Sequence, residues 1–349
     1  MTALLQCSSI LLVEYADSGM PEERHFSIKE ETLDVSSVPA GGIVIQLNHI
    51  SADPYLRGRV KSKGKHPLGT PLRGFVTGTV ISSDHKAWKS GDLFGASMPF
   101  VTVQMLTASQ VKETLMWKLT GIVDREQLSL GLGILGMPGS TAYGGLLDVL
   151  AAKKGETLWV SAAAGAVGSM VGQIAKNVVG MTVVGSCGGE QKGKLIREQF
   201  GFDHSVDYKT VSTAEELAAK VRDCVPEGID CYFENVGGIH FEAAMSLLKR
   251  HGRIAVCGSI SSYNSAKPEY CKINISNMIY SFQRVEGFVC HPWLTHQKGE
   301  FLKDMAKWLK EGKIKPQETF FEGVKSWPAA FASLFKGSNL GKVVVKVEA

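Results

Sequence analysis

The sequence lacks paired cysteine motifs, long apolar runs and a large excess of either charge. None of its seven cysteines belongs to a Cys-x-x-Cys pair, so a reduced interior suits them better than a disulfide framework. No apolar run approaches the ~18 residues of a membrane span. The N-terminus has no basic segment before an apolar core. These absences predict neither a membrane helix nor a signal peptide, and they favour a cytoplasmic protein.

Charge and size set further limits. The chain has 38 Lys and Arg against 34 Asp and Glu, a net charge of +4, which gives no reason to expect nucleic acid or another polyanion as a partner. The cluster of Lys61, Lys63 and Lys65 is better explained as a solvated loop. With 349 residues, 44% of them hydrophobic, the chain is long enough for about two domains with large cores.

Two kinds of pattern divide the chain. Residues 1–128 contain short apolar or alternating runs (9–13, 42–50, 74–82 and 93–98) separated by Gly, Pro and Asp, which is typical of β structure. Residues 129–312 contain six strand-like runs that alternate with helical stretches: 157–161, 182–185, 204–208, 229–234, 253–258 and 284–289. This alternation predicts a doubly wound parallel sheet. We expect residues 313–349, with a strand-like run at 342–347, to complete the β-rich domain.

One stretch predicts a phosphate-binding turn. The apolar, β-branched run from Thr157 ends in Ala162-x-x-Gly165-x-x-Gly168, and an amphipathic helical pattern follows at once. Gly165 would allow the backbone to approach a pyrophosphate, and Gly168 would allow the helix to lie close to the strand. The first-turn N–H groups would then face the phosphates. Ala/Gly-rich turns also close ordinary strand–helix connections.

The second strand of this unit indicates which dinucleotide is used. Enzymes that prefer NAD usually have a carboxylate near the end of this strand, for the ribose hydroxyls. Here the strand ends Val184-Gly-Ser-Cys-Gly-Gly189, with no acid before Glu190, and Lys192 follows. A cation beside small residues favours a 2′-phosphate and hence NADP(H). Lys192 could instead be ordinary surface charge.

Several motifs in order carry a family resemblance over nearly the whole chain. They are Asp53-Pro-Tyr-Leu-Arg57, Gly136-Met-Pro-Gly-Ser-Thr-Ala-Tyr143, the turn at 162–169, Asp230-Cys-Tyr-Phe-Glu-Asn-Val-Gly-Gly238, residues 252–264 and Asn339-Leu-Gly-Lys342. With them the sequence resembles the zinc-independent medium-chain dehydrogenases/reductases, in the branch of prostaglandin and alkenal reductases. The resemblance implies a Rossmann domain and a GroES-like substrate domain.

The resemblance also implies that no zinc is held. Zinc alcohol dehydrogenases of this fold carry Gly-His-Glu-x-x-Gly, whose His binds the metal, and the matching stretch here has Gly74 and Phe75 in place of His and Glu. No Cys lies between Cys7 and Cys187, so the four-cysteine lobe is missing as well. We expect His49 and His66 to be solvent or packing residues.

The resemblance implies the cofactor contacts residue by residue. Backbone groups of the turn would hold the pyrophosphate, Lys192 and Tyr208 would meet the adenosine end, and Asn235, two further segments and Asn339 would lie around the nicotinamide. The implied contacts are Gly165, Ala166, Val167, Gly168, Lys192, Tyr208, Asn235, Cys257, Gly258, Ser259, Ile260, Tyr263, Phe288, Val289, Cys290 and Asn339. Alternatively, Asn235 could cap a helix, Asn339 could be a turn residue, and Tyr208 could be strand packing.

The implied reaction is NADPH-dependent reduction of the C=C bond of an α,β-unsaturated ketone or aldehyde. Without a metal, hydride addition to the β-carbon leaves an enolate that needs only hydrogen-bond donors. Tyr263 would be one donor, although it could instead anchor its loop. The expected pocket is apolar and suits lipid-derived enones, unless its aromatic residues are core side chains. Its residues are Tyr55, Phe75, Tyr263, Phe288 and Trp293.

Other functions stay open at this point. Oxidation of a leukotriene B4-like hydroxyl with NADP+ would use the same site, and a quinone oxidoreductase of the same superfamily would also use NADPH. A cofactor-binding module without turnover is the alternative from another class. Because the run at 284–289 lies near the sheet edge in this fold, where relatives join their sheets, we also expect a homodimer.

Overall fold

A computed structural model describes residues 4–347, which divide into two compact units. The first unit extends to Gly136 and resumes at Glu318, and the second is Met137–Gln317. The predicted boundaries were 128/129 and 312/313. The difference at the first boundary arises because the 3₁₀ helix Arg125–Leu132, expected to open the second domain, packs on strands of the first unit.

The first unit is built mainly of strands, with three short α-helices. Its strands are β1 Leu4–Leu12, β2 Phe26–Asp34, β3 Ile43–Ser51, β4 Thr70–Pro71, β5 Arg73–Ser83, β6 Leu93–Pro99, β7 Val103–Leu106, β8 Leu115–Lys118, β15 Glu318–Glu322 and β16 Lys342–Lys346. Its helices are α1 Leu56–Arg59, α2 Ala108–Glu113 and α11 Trp327–Lys336.

The C-terminal segment completes the first unit. The main sheet has the order β15-β16-β3-β5-β6-β8, and β7 also pairs with β3. Strand β16 therefore lies between β15 and β3, and it runs antiparallel to β3 with Val345 opposite Ile50. This confirms the predicted return of the tail to the β-rich domain. A second sheet has the order β2-β1-β4.

An aromatic cluster joins helix α11 to the core of this unit. Trp327 and Phe331 are fully buried and stack with ring centroids 5.0 Å apart. The indole N–H of Trp327 donates to the Ser51 carbonyl at 3.0 Å. The buried indole thus satisfies its one polar group, while its rings fill the space between the helix and strand β3.

A buried ion pair fixes strand β16 to the turn after β3. The Lys342 ammonium lies 3.1 Å from Asp53 Oδ1, and both side chains are at most 4% exposed. The same ammonium also donates to the carbonyls of Ala52 and Val343, at 2.8 and 2.9 Å. All three N–H donors of Lys342 are therefore used, which compensates the cost of burying the charge.

Lys342→Met should lower the free energy of unfolding by about 3 kcal/mol or more, because Asp53 is left as a buried charge without its cation. Urea unfolding measures the change. Lys346→Met is the matched control, since its pair with Glu322 is largely exposed and should be worth less than about 1 kcal/mol. Equal losses in the two variants would contradict the account of Lys342.

The second unit alternates strands and helices. Its strands are β9 Thr157–Val160, β10 Thr182–Cys187, β11 His204–Asp207, β12 Ile229–Glu234, β13 Leu248–Val256 and β14 Arg284–Gly287. Its helices are α3 Met137–Gly144, α4 Ala166–Ile174, α5 Glu190–Lys194, α6 Ala214–Cys224, α7 Ile239–Leu247, α8 Ile275–Ser281, α9 His291–Leu294 and α10 Phe301–Lys310. Helices α3, α4 and α5 continue as π-helical turns at Gly145–Val149, Ala175–Val179 and Leu195–Gln199.

The six strands of this unit form one parallel sheet in the order β11-β10-β9-β12-β13-β14. The first three strands of the unit add in one direction and the next three in the other, so the order reverses between β9 and β12. This is the topology of a doubly wound dinucleotide-binding fold, and ligands bind outside the carboxyl ends of the strands at such a reversal. The predicted α/β fold is confirmed.

Within residues 4–347, every helix is too short or too polar to cross a membrane.

Candidate functional site

The turn after β9 has the geometry of a phosphate cradle. Gly165, with an extended backbone, precedes the first residue of α4, and the Gly165 carbonyl accepts from the Ser169 N–H at 3.0 Å. A Cβ on Gly168 would lie 2.4 Å from the Ala162 oxygen, so only glycine fits this close approach. Ala162 itself takes a left-handed φ of +50°. The first-turn N–H groups, which have no partner within the helix, are then available to a ligand.

Asn235 connects the two strands at which the sheet order reverses. The Asn235 amide donates to the Ser161 carbonyl at 2.8 Å, and the Asn235 backbone N–H donates to the Ser161 hydroxyl at 2.9 Å. The Asn235 side-chain oxygen accepts from the Cys257 thiol at 3.4 Å. The N-cap of the following helix is Gly238. The alternative role of Asn235 as a helix cap is therefore wrong.

Glu234, which the sequence analysis missed, lies beneath this connection. It is 1% exposed, and its Oε1 accepts from the Ser161 hydroxyl at 3.0 Å, the Tyr232 hydroxyl at 3.0 Å and the Val236 N–H at 2.6 Å. Burial raises the pKa of this carboxyl, while its hydrogen bonds act in the opposite direction. A carboxylate directly after the apolar residues Cys231, Tyr232 and Phe233 of β12 was the available signal for it.

The loop after β13 is held by hydrogen bonds to the segment after β12 and by one within itself. The N–H groups of Ile260 and Ser261 donate to the carbonyls of Asn235 and Val236, at 3.2 and 3.0 Å. The Tyr263 hydroxyl accepts from the Ser259 N–H at 3.4 Å. That hydroxyl would lie 3.1 Å from a Cβ placed on Gly258, so it faces its own loop. Burial raises the pKa of Tyr263. The hydrogen bond from Ser259 is therefore the kind of loop-anchoring contact that was the alternative to a catalytic role for Tyr263.

The segment after β14 differs from the prediction. The strand ends at Gly287, so Phe288 and Val289, the last residues of the predicted run 284–289, are not strand residues, and Cys290 caps the short helix α9. The Phe288 ring contacts the edges of Phe233 and Trp293, each with centroids 5.9 Å apart.

Trp293 is a packing residue in this unit. It is 3% exposed, its indole N–H donates to Asp148, and a Cβ on Gly144 would lie 2.0 Å from its ring. This favours the alternative in which Trp293 is a core side chain, whereas Phe288 is only half-buried.

Lys192 and Tyr208 lie near the carboxyl end of β10. Lys192 is half-buried on helix α5, and burial lowers its pKa. Tyr208 begins a 3₁₀ turn, Tyr208–Thr210, so it is not a strand residue as predicted. The Tyr208 ring contacts His240 edge-on at 5.3 Å, and the Tyr208 hydroxyl would lie 3.2 Å from a Cβ on Gly188.

The first unit holds the remaining predicted residues. Tyr55, immediately before α1, contacts Phe75 on β5 edge-on, with centroids 6.1 Å apart. Phe75 in turn lies 6.3 Å from Trp117, so the three rings form one aromatic group. Asn339 donates to the Gly341 carbonyl at 3.1 Å, and Gly341 has φ +63°, which is the geometry of a turn residue.

The two histidines considered as ligands each contact a threonine. His49 Nδ1 lies 3.0 Å from the Thr77 hydroxyl, and burial lowers the pKa of His49 to about 4. His66 Nε2 lies 3.2 Å from the Thr70 hydroxyl. In residues 4–347 no three His, Cys, Asp or Glu side chains come together as a metal-ligand group.

Comparison with known proteins identifies the family. A family model described as "N-terminal domain of oxidoreductase" matches residues 9–114, and one described as "Zinc-binding dehydrogenase" matches residues 166–310. Prostaglandin reductase 1 of Bos taurus is 39% identical over 94% of this chain and 95% of its own length. The 2-alkenal reductase (NADP(+)-dependent) of Nicotiana tabacum is 38% identical over 97% of this chain and 96% of its own length.

A solved structure shows the same similarity in both sequence and fold. The structure of CurA from Vibrio vulnificus in complex with NADPH has a TM-score of 0.83 and 32% identity, covering 98% of this chain and 99% of that chain. The chain therefore belongs to the medium-chain dehydrogenase/reductase family of oxidoreductases, in its zinc-independent branch.

His240 gives the folded state a defined pH dependence. It is 3% exposed beside Tyr208 and Trp159, and burial lowers its pKa from 6.5 to about 4. Between these values the unfolded chain binds a proton that the folded chain does not, so stability is lost as the pH falls from 6.5 toward 4. Two and a half pKa units correspond to roughly 3 kcal/mol.

Urea unfolding between pH 7 and pH 4.5 tests this. His240→Phe should give a clearly shallower loss of stability with falling pH, with His49 still contributing its share. His251→Gln, which removes an exposed histidine, is the control and should keep the wild-type slope. An unchanged slope in His240→Phe would contradict the assignment.

Proposed function

We propose that the protein reduces the C=C bond of α,β-unsaturated ketones and aldehydes with NADPH. The observation that supports this most is the similarity over more than nine tenths of the chain to prostaglandin reductase 1 and to an NADP(+)-dependent 2-alkenal reductase, at 39% and 38% identity. Likeness to the quinone oxidoreductase of Escherichia coli, at 18% identity, extends to the fold alone.

The residues of the second unit fit this cofactor. The turn from Gly165 to Gly168 leaves only backbone at its closest approach, as a pyrophosphate requires. The end of β10 carries no acid that would bind ribose hydroxyls, and Lys192 and Tyr208 are placed beside it. Asn235 would orient the nicotinamide at the reversal of the sheet. For the first unit we propose the roles that family resemblance implies: Tyr55 and Phe75 line the substrate pocket, and Asn339 contacts the nicotinamide.

When bound, NADPH supplies the hydride for the β-carbon. Negative charge then collects on the substrate carbonyl oxygen, and the protein has to stabilise that oxygen by hydrogen bonding. We assign this donation to the Tyr263 hydroxyl, the donor that family resemblance implies, and burial raises its pKa further above neutral pH. Its bond from Ser259 uses only an acceptor position, so its own proton stays available.

The substrate class is proposed to be lipid-derived or aromatic. This rests on the apolar rings among the residues that family resemblance implies for the pocket, Tyr55 and Phe75 in the first unit and Phe288 in the second. Among residues 4–347 no disulfide joins the seven cysteines, which suits a reducing compartment, and we place the reaction in the cytosol.

A substrate panel followed by loss of NADPH absorbance tests the activity. We expect turnover of 4-hydroxynonenal and 15-oxoprostaglandins, weaker turnover of quinones, and little with NADH. The reverse assay supplies a leukotriene B4-like alcohol with NADP+. Tight NADPH binding without turnover of any enone would favour the binding-module alternative, and faster turnover of quinones would favour the quinone oxidoreductase.

The same assay examines Tyr263. Tyr263→Phe should lower kcat about 10²-fold, since one oxyanion donor is worth about 3 kcal/mol. Its NADPH dissociation constant should change much less than kcat, because phenylalanine keeps the ring of this implied cofactor contact. Tyr270→Phe, which removes an exposed hydroxyl, is the control. A loss below about threefold, or an equal loss in NADPH affinity, would assign Tyr263 to loop anchoring.

We also propose that the protein is a homodimer. Among residues 4–347, strand β14 pairs with β13 alone, and helix α8, which precedes it, buries none of its residues. Ile275, Ile279 and Tyr280 on that helix are 62 to 76% exposed. An unpaired strand edge beside exposed apolar side chains is a surface that a second copy would cover.

Light scattering after gel filtration should therefore give twice 37.7 kDa, about 75 kDa. Ile279→Glu should shift the mass toward 37.7 kDa. Ile122→Glu, a partly exposed isoleucine of the first unit, should leave it unchanged. A wild-type mass of 37.7 kDa at micromolar concentration would refute the dimer.

A further inference from the structure

A second lysine lies at the carboxyl end of β10, which the sequence analysis assigned to Lys192 and Tyr208 alone. Lys209 follows Tyr208 in the 3₁₀ turn after β11, and β11 is the direct neighbour of β10. A Cβ on Gly188 would lie 2.7 Å from Lys209 Cε and 3.2 Å from the Tyr208 hydroxyl. The Lys209 side chain therefore extends across the loop that ends β10.

Lys209 and Lys192 are close enough for their charges to interact. Burial lowers the pKa of Lys192 most, and repulsion from the Lys209 ammonium lowers it further. Two ammonium groups therefore converge on one loop. Such an arrangement is unfavourable by itself and becomes favourable when an anion lies between them.

Two carboxylates near this loop have partners of their own. Asp207 accepts the backbone N–H of Lys209 at 3.0 Å, as the cap of the 3₁₀ turn. Glu190 pairs with Arg197 at 3.4 Å. The space in front of the loop is open, because a Cβ on Gly189 would meet no atom within 4 Å.

We propose that Lys209 is a second phosphate-binding residue, which acts with Lys192 on the 2′-phosphate of NADPH and sets the preference for NADPH over NADH. The inference rests on the cofactor of the proposed function. A 2′-phosphate carries a charge near −2 at neutral pH and has three acceptor oxygens. It can therefore bind the ammonium groups of Lys192 and Lys209 together, and the second adds to the affinity given by the first. The glycine at position 188 leaves room for the Lys209 side chain to reach this place.

Calorimetric titration of the full-length protein tests the proposal without turnover. The ligands are NADPH, NADH, 2′,5′-ADP and 5′-AMP. Lys209→Met should weaken NADPH and 2′,5′-ADP about tenfold and leave NADH and 5′-AMP within twofold. Lys209→Arg should restore most of the affinity for the two phosphorylated ligands. Lys209 is exposed, so these variants should keep the fold, which thermal unfolding checks.

Lys194→Met is the matched control, since it removes an exposed lysine from the same helix as Lys192. It should leave all four affinities within twofold. Gly188→Ala gives a supporting readout: its Cβ would displace the Lys209 side chain and crowd the Tyr208 hydroxyl, so it should reduce the preference for 2′,5′-ADP over 5′-AMP at least as much as Lys209→Met does.

The outcomes separate this inference from the proposed function. An equal loss for NADPH and NADH in Lys209→Met, or no loss for 2′,5′-ADP, would overturn the role of Lys209 even if enones are reduced. A wild-type protein that prefers NADH would overturn both. A phosphate preference that depends on Lys209, in a protein that reduces no enone, would support this inference and refute the reaction.

Discussion

The hydrogen bonds between Ser161 and Asn235 are the constraint on which the second unit depends. They join β9 and β12 where the order of the sheet reverses, and the buried carboxyl of Glu234 accepts from the same Ser161 hydroxyl. Because these hydrogen bonds join the ends of the two strands, the phosphate turn after β9 and the loop after β13 start from fixed positions. The positions of the site residues are therefore set by the sheet rather than by the loops.

The central strands of the parallel sheet were predictable because they are largely buried. Strands β9, β10 and β12 appear as short, mainly apolar runs between helical periods, and the ends of all six strands were located to within five residues. The phosphate turn was equally visible, since Gly168 is required by a backbone contact that is local in sequence. The return of strand β16 was suggested by its Val-rich run and by the motif that precedes it.

Other features depend on contacts between distant residues and left little signal. Strand β2 is charged and mostly exposed, so its pattern resembles a loop, and only pairing with β1 makes it a strand. Phe288 lies beyond Gly287, the last residue of β14 in register with β13, although its backbone N–H still donates to the Val256 carbonyl at 3.3 Å. Lys209 reaches the carboxyl end of β10 from the turn that follows β11, and the register between these two strands sets that proximity.

The position of strand β16 has a consequence for how the chain acquires its structure. The Trp327 indole bonds to Ser51 and the Lys342 ammonium to Ala52, across 276 and 290 residues of sequence. On the ribosome, the β-rich unit therefore cannot close until residue 346 has been synthesised, whereas the parallel sheet is complete in sequence once β14 has been made. The second unit should therefore become ordered first. Until β16 is synthesised, the N-terminal strands lack their last partner and are the part of the chain most prone to misassembly.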